Sequence, residues 1–276
     1  MNYYEYEITV SQPQPFSEII MSALGEIGFD SFVDTESGFL AYIPENLENQ
    51  SEVIKVLDYF NDDVKTSFTR KFIKDQNWNE EWEKNFDPVE VEDDILIKAH
   101  FHKIDKKYPY EILITPKMSF GTGHHSTTWL MMKNMLNFDF KNKSVLDMGT
   151  GTGVLAILAK MLGATEIHSI DIDEWSIENA AENYNLNHCY EISIEKGDAS
   201  ILGETKYDVI LANINRNVLL ADLPKYNEIL NENGSIFLSG FYEEDVPMLQ
   251  EKADSLELKI ENKMARQNWC CLKLNK

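Results

Sequence analysis

From Tyr4 to Val10 apolar and polar side chains alternate, with Tyr4, Tyr6, Ile8 and Val10 on one face, the period of a half-buried strand. Phe16 to Ile27 switches to helical spacing through Ile19, Ile20, Ala23, Leu24 and Ile27, and Gly28 marks its end. Two short strands, Phe32-Val33 and Phe39 to Ile43, flank the turn signal Glu36-Ser37-Gly38. A helix over Ser51 to Phe60 and a strand over Val64 to Ile73 complete a small α/β unit. The pattern then breaks. From Asp75 to Pro88 the chain is polar, with Trp78, Trp82 and Phe86 recurring every four residues, which puts all three on one face of a short helix. Such a face either docks against a neighbouring domain or meets a substrate.

Short strands follow near Val89 to Val91, Ile95 to Ala99 and Ile112 to Ile114, then a helix over Ser126 to Leu136. Strand–helix alternation takes over, with strands at Ser144 to Met148, Glu166 to Ile170, Ile192 to Glu195, Val209 to Ala212 and Ser235 to Ser239. Helices are expected over Val154 to Leu162, Ser176 to Tyr184, Leu219 to Leu230 and Val246 to Ser255. Strands separated by helices imply a parallel sheet covered on both faces. The last two strands, Leu256 to Ile260 and Asn268 to Leu274, have no helix between them and imply an antiparallel hairpin at one edge. The expected class is α/β: a doubly wound, mostly parallel seven-stranded sheet. The leading βαββαβ order resembles a small α+β ferredoxin-like domain, a fold that carries no function by itself. The expected units are residues 1–73, a helical connector over 74–88, and residues 89–276.

Composition narrows the function classes. The 276 residues hold 25 Lys plus Arg against 47 Asp plus Glu, a formal charge of −22. That balance disfavours direct nucleic-acid binding, which needs cations to neutralise phosphates, and favours encounter with basic partners. Acidity also keeps a protein soluble, and composition alone leaves both readings open. The opening residues Met1 to Glu7 are acidic and aromatic, unlike a secretory signal. No apolar run is long enough for a membrane span; Val154 to Ala164 is too short and contains Lys160. Cys189, Cys270 and Cys271 fit no disulfide framework, so the expectation is a reduced, cytoplasmic protein with no membrane contact.

The chemistry gathers at strand ends. Val145 to Gly153 is an apolar strand running into Asp147-Met148-Gly149-Thr150-Gly151-Thr152-Gly153 and then a helix, a place where a backbone can approach a ligand closely. The spacing is Gly-x-Gly-x-Gly rather than the dinucleotide Gly-x-Gly-x-x-Gly, because Val154 stands at the last position. Asp147 at the strand end suits a ligand with hydroxyls and a cationic amine better than a pyrophosphate. The next strand ends in Asp171-Ile172-Asp173, where Asp171 can accept from ribose hydroxyls and Asp173 can cap the following helix. Asp198 in Gly197-Asp198-Ala199 either reads an adenine amino group or is an ordinary turn residue. Asn213 closes the fourth strand, beside any reacting centre at the carboxyl ends of the sheet.

This arrangement resembles the class I S-adenosylmethionine methyltransferases from about Ser144 onward. Asn213 is followed by Ile214-Asn215-Arg216 instead of the Pro-Pro-Tyr common in enzymes that methylate amides or bases, which weakens those acceptors. Phe120-Gly121-Thr122-Gly123-His124-His125-Ser126-Thr127-Thr128 matches Phe-Gly-Thr-Gly-x-His-x-Thr-Thr, and Trp82 with Asn85-Phe86-Asp87-Pro88 matches a Trp-helix leading to Asn-Phe-x-Pro. Both are similar to the family that methylates ribosomal protein L-eleven of the large subunit, over nearly the whole chain. Ser126 stands where that family often has proline, and His124 where it often has threonine.

The resemblance implies S-adenosyl-L-methionine as cofactor, contacted by Thr128, Gly149, Asp171 and Asn213. Gly151 and Asp198 join them as expected cofactor-binding residues from the reading of the loop and strand ends. It also implies a basic ribosomal protein as substrate, methylated on lysine and N-terminal amines, with residues 1–73 as recognition domain. A methyltransferase of the same fold acting on a small molecule or another protein is the alternative. Asn213 and His125 are the candidate catalytic residues. His124 and His125 either take a proton or hydrogen-bond within their loop, and Ser126 is expected to cap the helix. No metal is expected, since His100-x-His102 lacks a third ligand.

Overall fold

A computed structural model describes residues 2–61, 63–73, 86–117 and 119–276. The connector face at Trp78 and Trp82 lies outside the described residues. The chain divides into two compact units, Met1–Lys84 and Asn85–Lys276.

In the first unit, β1 (Tyr3–Val10), α1 (Pro13–Glu26), β2 (Ser31–Thr35), β3 (Gly38–Pro44), α2 (Gln50–Tyr59) and β4 (Thr66–Ile73) follow the βαββαβ order. The sheet is antiparallel in the order β2-β3-β1-β4, which puts β1 at its centre. The period-two pattern has its cause here: Tyr6, Ile8 and Val10 are almost fully buried with Ile20 and Leu24 of α1 and Val53 and Leu57 of α2. Helix α2 starts where the Asn49 side chain accepts from the Ser51 N–H.

The second unit opens with a three-stranded sheet of β5 (Val89–Val91), β6 (Ile95–Lys98) and β7 (Tyr110–Leu113), then α3 (Ser126–Met135). Next come β8 (Ser144–Met148), α4 (Val154–Met161), β9 (Glu166–Asp171), α5 (Glu174–Leu186), β10 (Ser193–Lys196), β11 (Tyr207–Asn213) and α6 (Arg216–Ile229). The chain ends with β12 (Leu230–Tyr242), α7 (Val246–Asp254), β13 (Lys259–Arg266) and β14 (Trp269–Asn275). These strands form one seven-stranded sheet, β10-β9-β8-β11-β12-β14-β13, parallel from β10 to β12. The terminal hairpin inserts its second strand: β14 lies antiparallel between β12 and the edge strand β13.

Side-chain alternation sorts the core into two layers. Val145, Val209 and Leu211 pack with α4 and α5 on one face, while Leu146, Ile210 and Ala212 pack with α6 and α7 on the other. This is the doubly wound, Rossmann-like arrangement. Strand order reverses between β8 and β11, so a crevice opens at their carboxyl ends. All three cysteines are free and buried. Among the described residues no helix is long and apolar enough to cross a membrane.

Candidate active site

The glycine loop between β8 and α4 is built from residues with φ of +71° at Gly149, +55° at Gly151 and +81° at Gly153. At Gly151 the left-handed backbone coincides with a close approach: an added Cβ would lie 2.2 Å from the Phe120 carbonyl oxygen. The loop amides are taken up inside the protein. Gly149 and Thr150 N–H donate to the Ile170 carbonyl at 2.8 and 3.1 Å, and Thr152 N–H donates to Phe120 O at 2.9 Å. Gly151 N–H donates to Asp171 Oδ2 at 2.8 Å. A pyrophosphate would need these donors free, so the loop is not a phosphate cradle.

Asp147 corrects its sequence reading. It is fully buried beneath the loop, away from the cavity wall, and accepts from Thr150 Oγ1 at 2.6 Å. Thr150 Oγ1 also meets Tyr184 Oη at 3.2 Å, and that phenol donates to Ser169 Oγ at 2.7 Å. Burial pushes the Asp147 carboxyl up to about 7, with the nearby Asp171 adding to it against the Thr150 hydrogen bond. Asp147 therefore braces the loop from behind.

The crevice holds a cavity of about 540 Å³ whose wall includes Gly149, Gly151, Asp171, Asp198, Asn213 and His125. Five of the six expected cofactor-binding residues are thus brought together. Asp171 is 8% exposed; Oδ2 holds Gly151 N–H and Oδ1 holds Asp173 N–H at 3.0 Å, leaving further lone pairs on both oxygens. Asp198 makes the bonds of a turn residue, its carboxylate accepting from Ser200 Oγ and N–H, which lowers its pKa, and it also lines the cavity. Asp173 occupies the N-cap position of α5, but its side chain makes no capping bond, contrary to expectation.

Thr128 is the sixth, and it is not on the wall. It is fully buried behind Asn213, whose Nδ2 donates to Thr128 Oγ1 at 3.3 Å. Among the described residues Asn213 Oδ1 is buried with no hydrogen-bond partner, an acceptor waiting for a donor. Asn215 caps α6 by accepting from Val218 N–H at 3.1 Å, so that helix begins three residues before the sequence pattern suggests.

The Phe120 to His125 loop lies across the glycine loop. Thr152 fixes it twice, through its N–H on Phe120 O and its Oγ1 on Gly121 O at 2.7 Å. The α3 cap is His125, not Ser126: His125 Nδ1 accepts from Thr127 N–H at 3.3 Å and meets Thr127 Oγ1 at 2.8 Å. Ser126 instead donates from Oγ to Gln267 Oε1 at 2.7 Å. Burial lowers the His125 pKa, and a neutral ring whose Nδ1 accepts carries its proton on Nε2. The geometry favours a loop-bonding residue over a general base. His124 Nδ1 pairs with Thr122 Oγ1 at 3.0 Å. His102 uses both ring nitrogens, Nδ1 on Ala99 N–H at 3.0 Å and Nε2 on Phe86 O at 2.6 Å.

Behind this loop, α5 offers an asparagine stripe. Asn183 Oδ1 accepts from Thr115 N–H and its Nδ2 donates to Thr152 O, both at 2.8 Å. Asn179 donates to Thr115 O at 3.0 Å, and Asn187 bonds both Leu113 N–H and Leu113 O. The stripe replaces a β-partner for the chain leaving β7 and ties it to the glycine loop.

Several wall residues were missed in the sequence. Trp269 arrives on β14, with its ring 4.6 Å from His125 and 4.2 Å from Tyr242. Ile172 and Trp175 stand 65% and 72% exposed at the cavity rim beside Asp171. Gly240 forms a bulge in β12, where φ is +104° and a Cβ would lie 2.0 Å from Ile214 O. Only Gly240 had a readable signal, a glycine directly after the expected strand Ser235 to Ser239. Hydroxyl acceptors at Asp171, apolar surface at Ile172 and Trp175, the orphaned Asn213 acceptor and the absence of a phosphate cradle fit S-adenosylmethionine.

Known proteins are similar to this chain in sequence and in fold. The family model for ribosomal protein L11 methyltransferase (PrmA) matches residues 22–276. A ribosomal protein L11 methyltransferase of Phocaeicola vulgatus is 46% identical over 99% of both chains. One from Porphyromonas gingivalis is 44% identical over 93% of this chain and 89% of its own. The crystal structure of a ribosomal protein L11 methylase from Lactobacillus delbrueckii subsp. bulgaricus superposes with a TM-score of 0.64 at 30% identity, covering 68% of this chain and 98% of that one. With the match running through the glycine loop, Asp171 and Asn213, the chain belongs to the ribosomal protein L11 methyltransferase (PrmA) family.

Proposed function

We propose that the chain transfers methyl groups from S-adenosylmethionine to lysine side-chain and N-terminal amines of the basic large-subunit ribosomal protein L11. The observation that carries this reading is the unpartnered, buried Oδ1 of Asn213 in the wall of a cavity that suits an adenosyl ligand. Bound S-adenosylmethionine supplies an electrophilic methyl group on a sulfonium. Gly149, Gly151, Asp171 and Asp198 would hold its adenosyl part. Asn213, steadied by Thr128, accepts one N–H of the incoming amine and turns its lone pair inward.

The amine must be neutral to attack. A lysine begins near a pKa of about 10.4 and an N-terminal amine near about 8, so the second is the easier acceptor. Phe120, His125 and Trp269 form a largely apolar mouth that disfavours the ammonium form. These residues orient and desolvate, and His125 is not required as a base. Residues 1–73 are assigned to substrate recognition, and the charge of −22 favours a basic protein over nucleic acid.

The test is transfer of labelled methyl from S-adenosylmethionine to purified L11, with Asp171→Ala as control. Labelling that disappears in the variant is expected. Absence of labelling by the unmodified chain, with cofactor binding intact, refutes the substrate assignment.

A further inference from the structure

The wall of the cofactor cavity opens outward. Asn215, Gly240 and Trp269 line it on one side and, on the other, a cleft of about 350 Å³ that takes in Tyr242, Glu244 and Asp245. That cleft shares Tyr242 and Glu244 with an outer space of about 570 Å³ completed by Glu243 and Asn268. The three spaces thus adjoin in series, through shared wall residues, from the chamber of Asn213 out to exposed Glu243 and Glu244.

Its floor is aromatic. Tyr242 sits opposite Trp269 in the β12–β14 register, the rings are 4.2 Å apart and inclined by 32°, and Tyr242 is 44% exposed. The charges beside it are unequal. Asp245 is neutralised by Arg216 Nη1 at 2.6 Å, and Glu243 pairs with Lys263 at 3.1 Å. Glu244 is exposed and has no cationic or hydrogen-bonding partner among the described residues.

We propose that this track seats the acceptor: an extended, lysine-bearing segment of a basic polypeptide, with one amine reaching Asn213 and a flanking cation held by Glu244. The inference rests on the methyltransferase reading above and assigns that reaction its acceptor-side specificity residues. An anionic ligand would meet an uncompensated carboxylate, and a wholly apolar peptide would leave that charge without a complementary group. A lysine segment satisfies both surfaces, the stem of the reacting lysine lying along the rings and the flanking ammonium meeting the Tyr242 face or Glu244. At the inner end, the orphaned Asn213 Oδ1 asks for an N–H donor, which the same amine provides.

Glu244→Lys and Tyr242→Leu test the assignment in the full-length chain. With L11 as acceptor, Glu244→Lys is expected to raise the acceptor KM about five- to tenfold and to weaken its salt dependence. Tyr242→Leu is expected to raise it about threefold, leaving the apolar wall but removing the ring face. Neither changes kcat or S-adenosylmethionine Kd more than about twofold, because neither residue touches the cofactor cavity. Acceptor KM values that stay unchanged in both variants overturn the proposal.

A second arm is calorimetric binding of a synthetic oligolysine peptide to the chain saturated with S-adenosylhomocysteine. If L11 is not methylated but both variants still weaken peptide binding, the substrate assignment falls and the track stands. Equal peptide binding by all three proteins overturns the track itself.

Discussion

Asn183→Ala isolates the link between α5 and the site. The side chain is fully buried and makes two 2.8 Å bonds, accepting from Thr115 N–H and donating to Thr152 O. Truncation orphans both main-chain groups at about 1–3 kcal/mol each. Thr115 is half-buried and regains some water, so its share lies at the low end, whereas Thr152 is fully buried. The expected loss is about 2–5 kcal/mol, equivalent to roughly 5–15 °C in a unit of this size. Asn179→Ala is the control, since Asn179 gives up a single bond to Thr115 O at 3.0 Å and its Oδ1 has none to lose. Because Thr152 also holds Phe120 O and Gly121 O, Asn183→Ala should weaken S-adenosylmethionine binding as well. Urea unfolding followed by far-UV circular dichroism gives the stability, and calorimetry gives the Kd. If Asn183→Ala costs no more than Asn179→Ala and leaves the cofactor Kd unchanged, the stripe does not support the site.

Asp147→Asn should change how stability depends on pH. The native carboxyl is raised to about 7, above its unfolded value, so folding favours the protonated form; the burial penalty is absent below about pH 4 and grows until pH passes about 7. The wild-type chain should therefore lose about 2–3 kcal/mol relative to Asp147→Asn between pH 5 and pH 8, and parallel urea-unfolding stabilities at the two pH values would contradict this. Gly240→Ala forces a side chain into a left-handed bulge and against Ile214 O at 2.0 Å. It should displace Asn213 to Asn215, lowering methyl transfer at least about tenfold in a single-turnover assay. Wild-type turnover by this variant would show that the bulge does not position Asn213.

Much of the architecture was legible because periodicity is local. The alternation at Tyr6, Ile8 and Val10 and the apolar strand from Val145 ending in glycines mark strands wherever the chain lies, since each residue's face depends only on its neighbours. The same holds for the site residues at strand ends: once the helix–strand alternation implies a parallel sheet, Gly149, Asp171 and Asn213 must meet at one edge. The partners of polar side chains are another matter. Asp147 looked like a ligand contact, yet Thr150, itself met by the Tyr184 hydroxyl, holds it under the loop. Ser126 looked like a cap, yet Gln267, 141 residues away, takes its hydroxyl, and His125 caps instead. Thr128 stands behind Asn213, 85 residues distant. Trp269 reaches the cavity only because β14 inserts beside β12. The sequence by itself determined the elements, the sheet and the strand ends where chemistry gathers, because backbone propensity and burial act over a few residues. Tertiary structure alone decided which side chains face the cavity and which brace it, because a hydrogen bond is directional and its partner comes from whichever remote segment packing brings within about 3 Å.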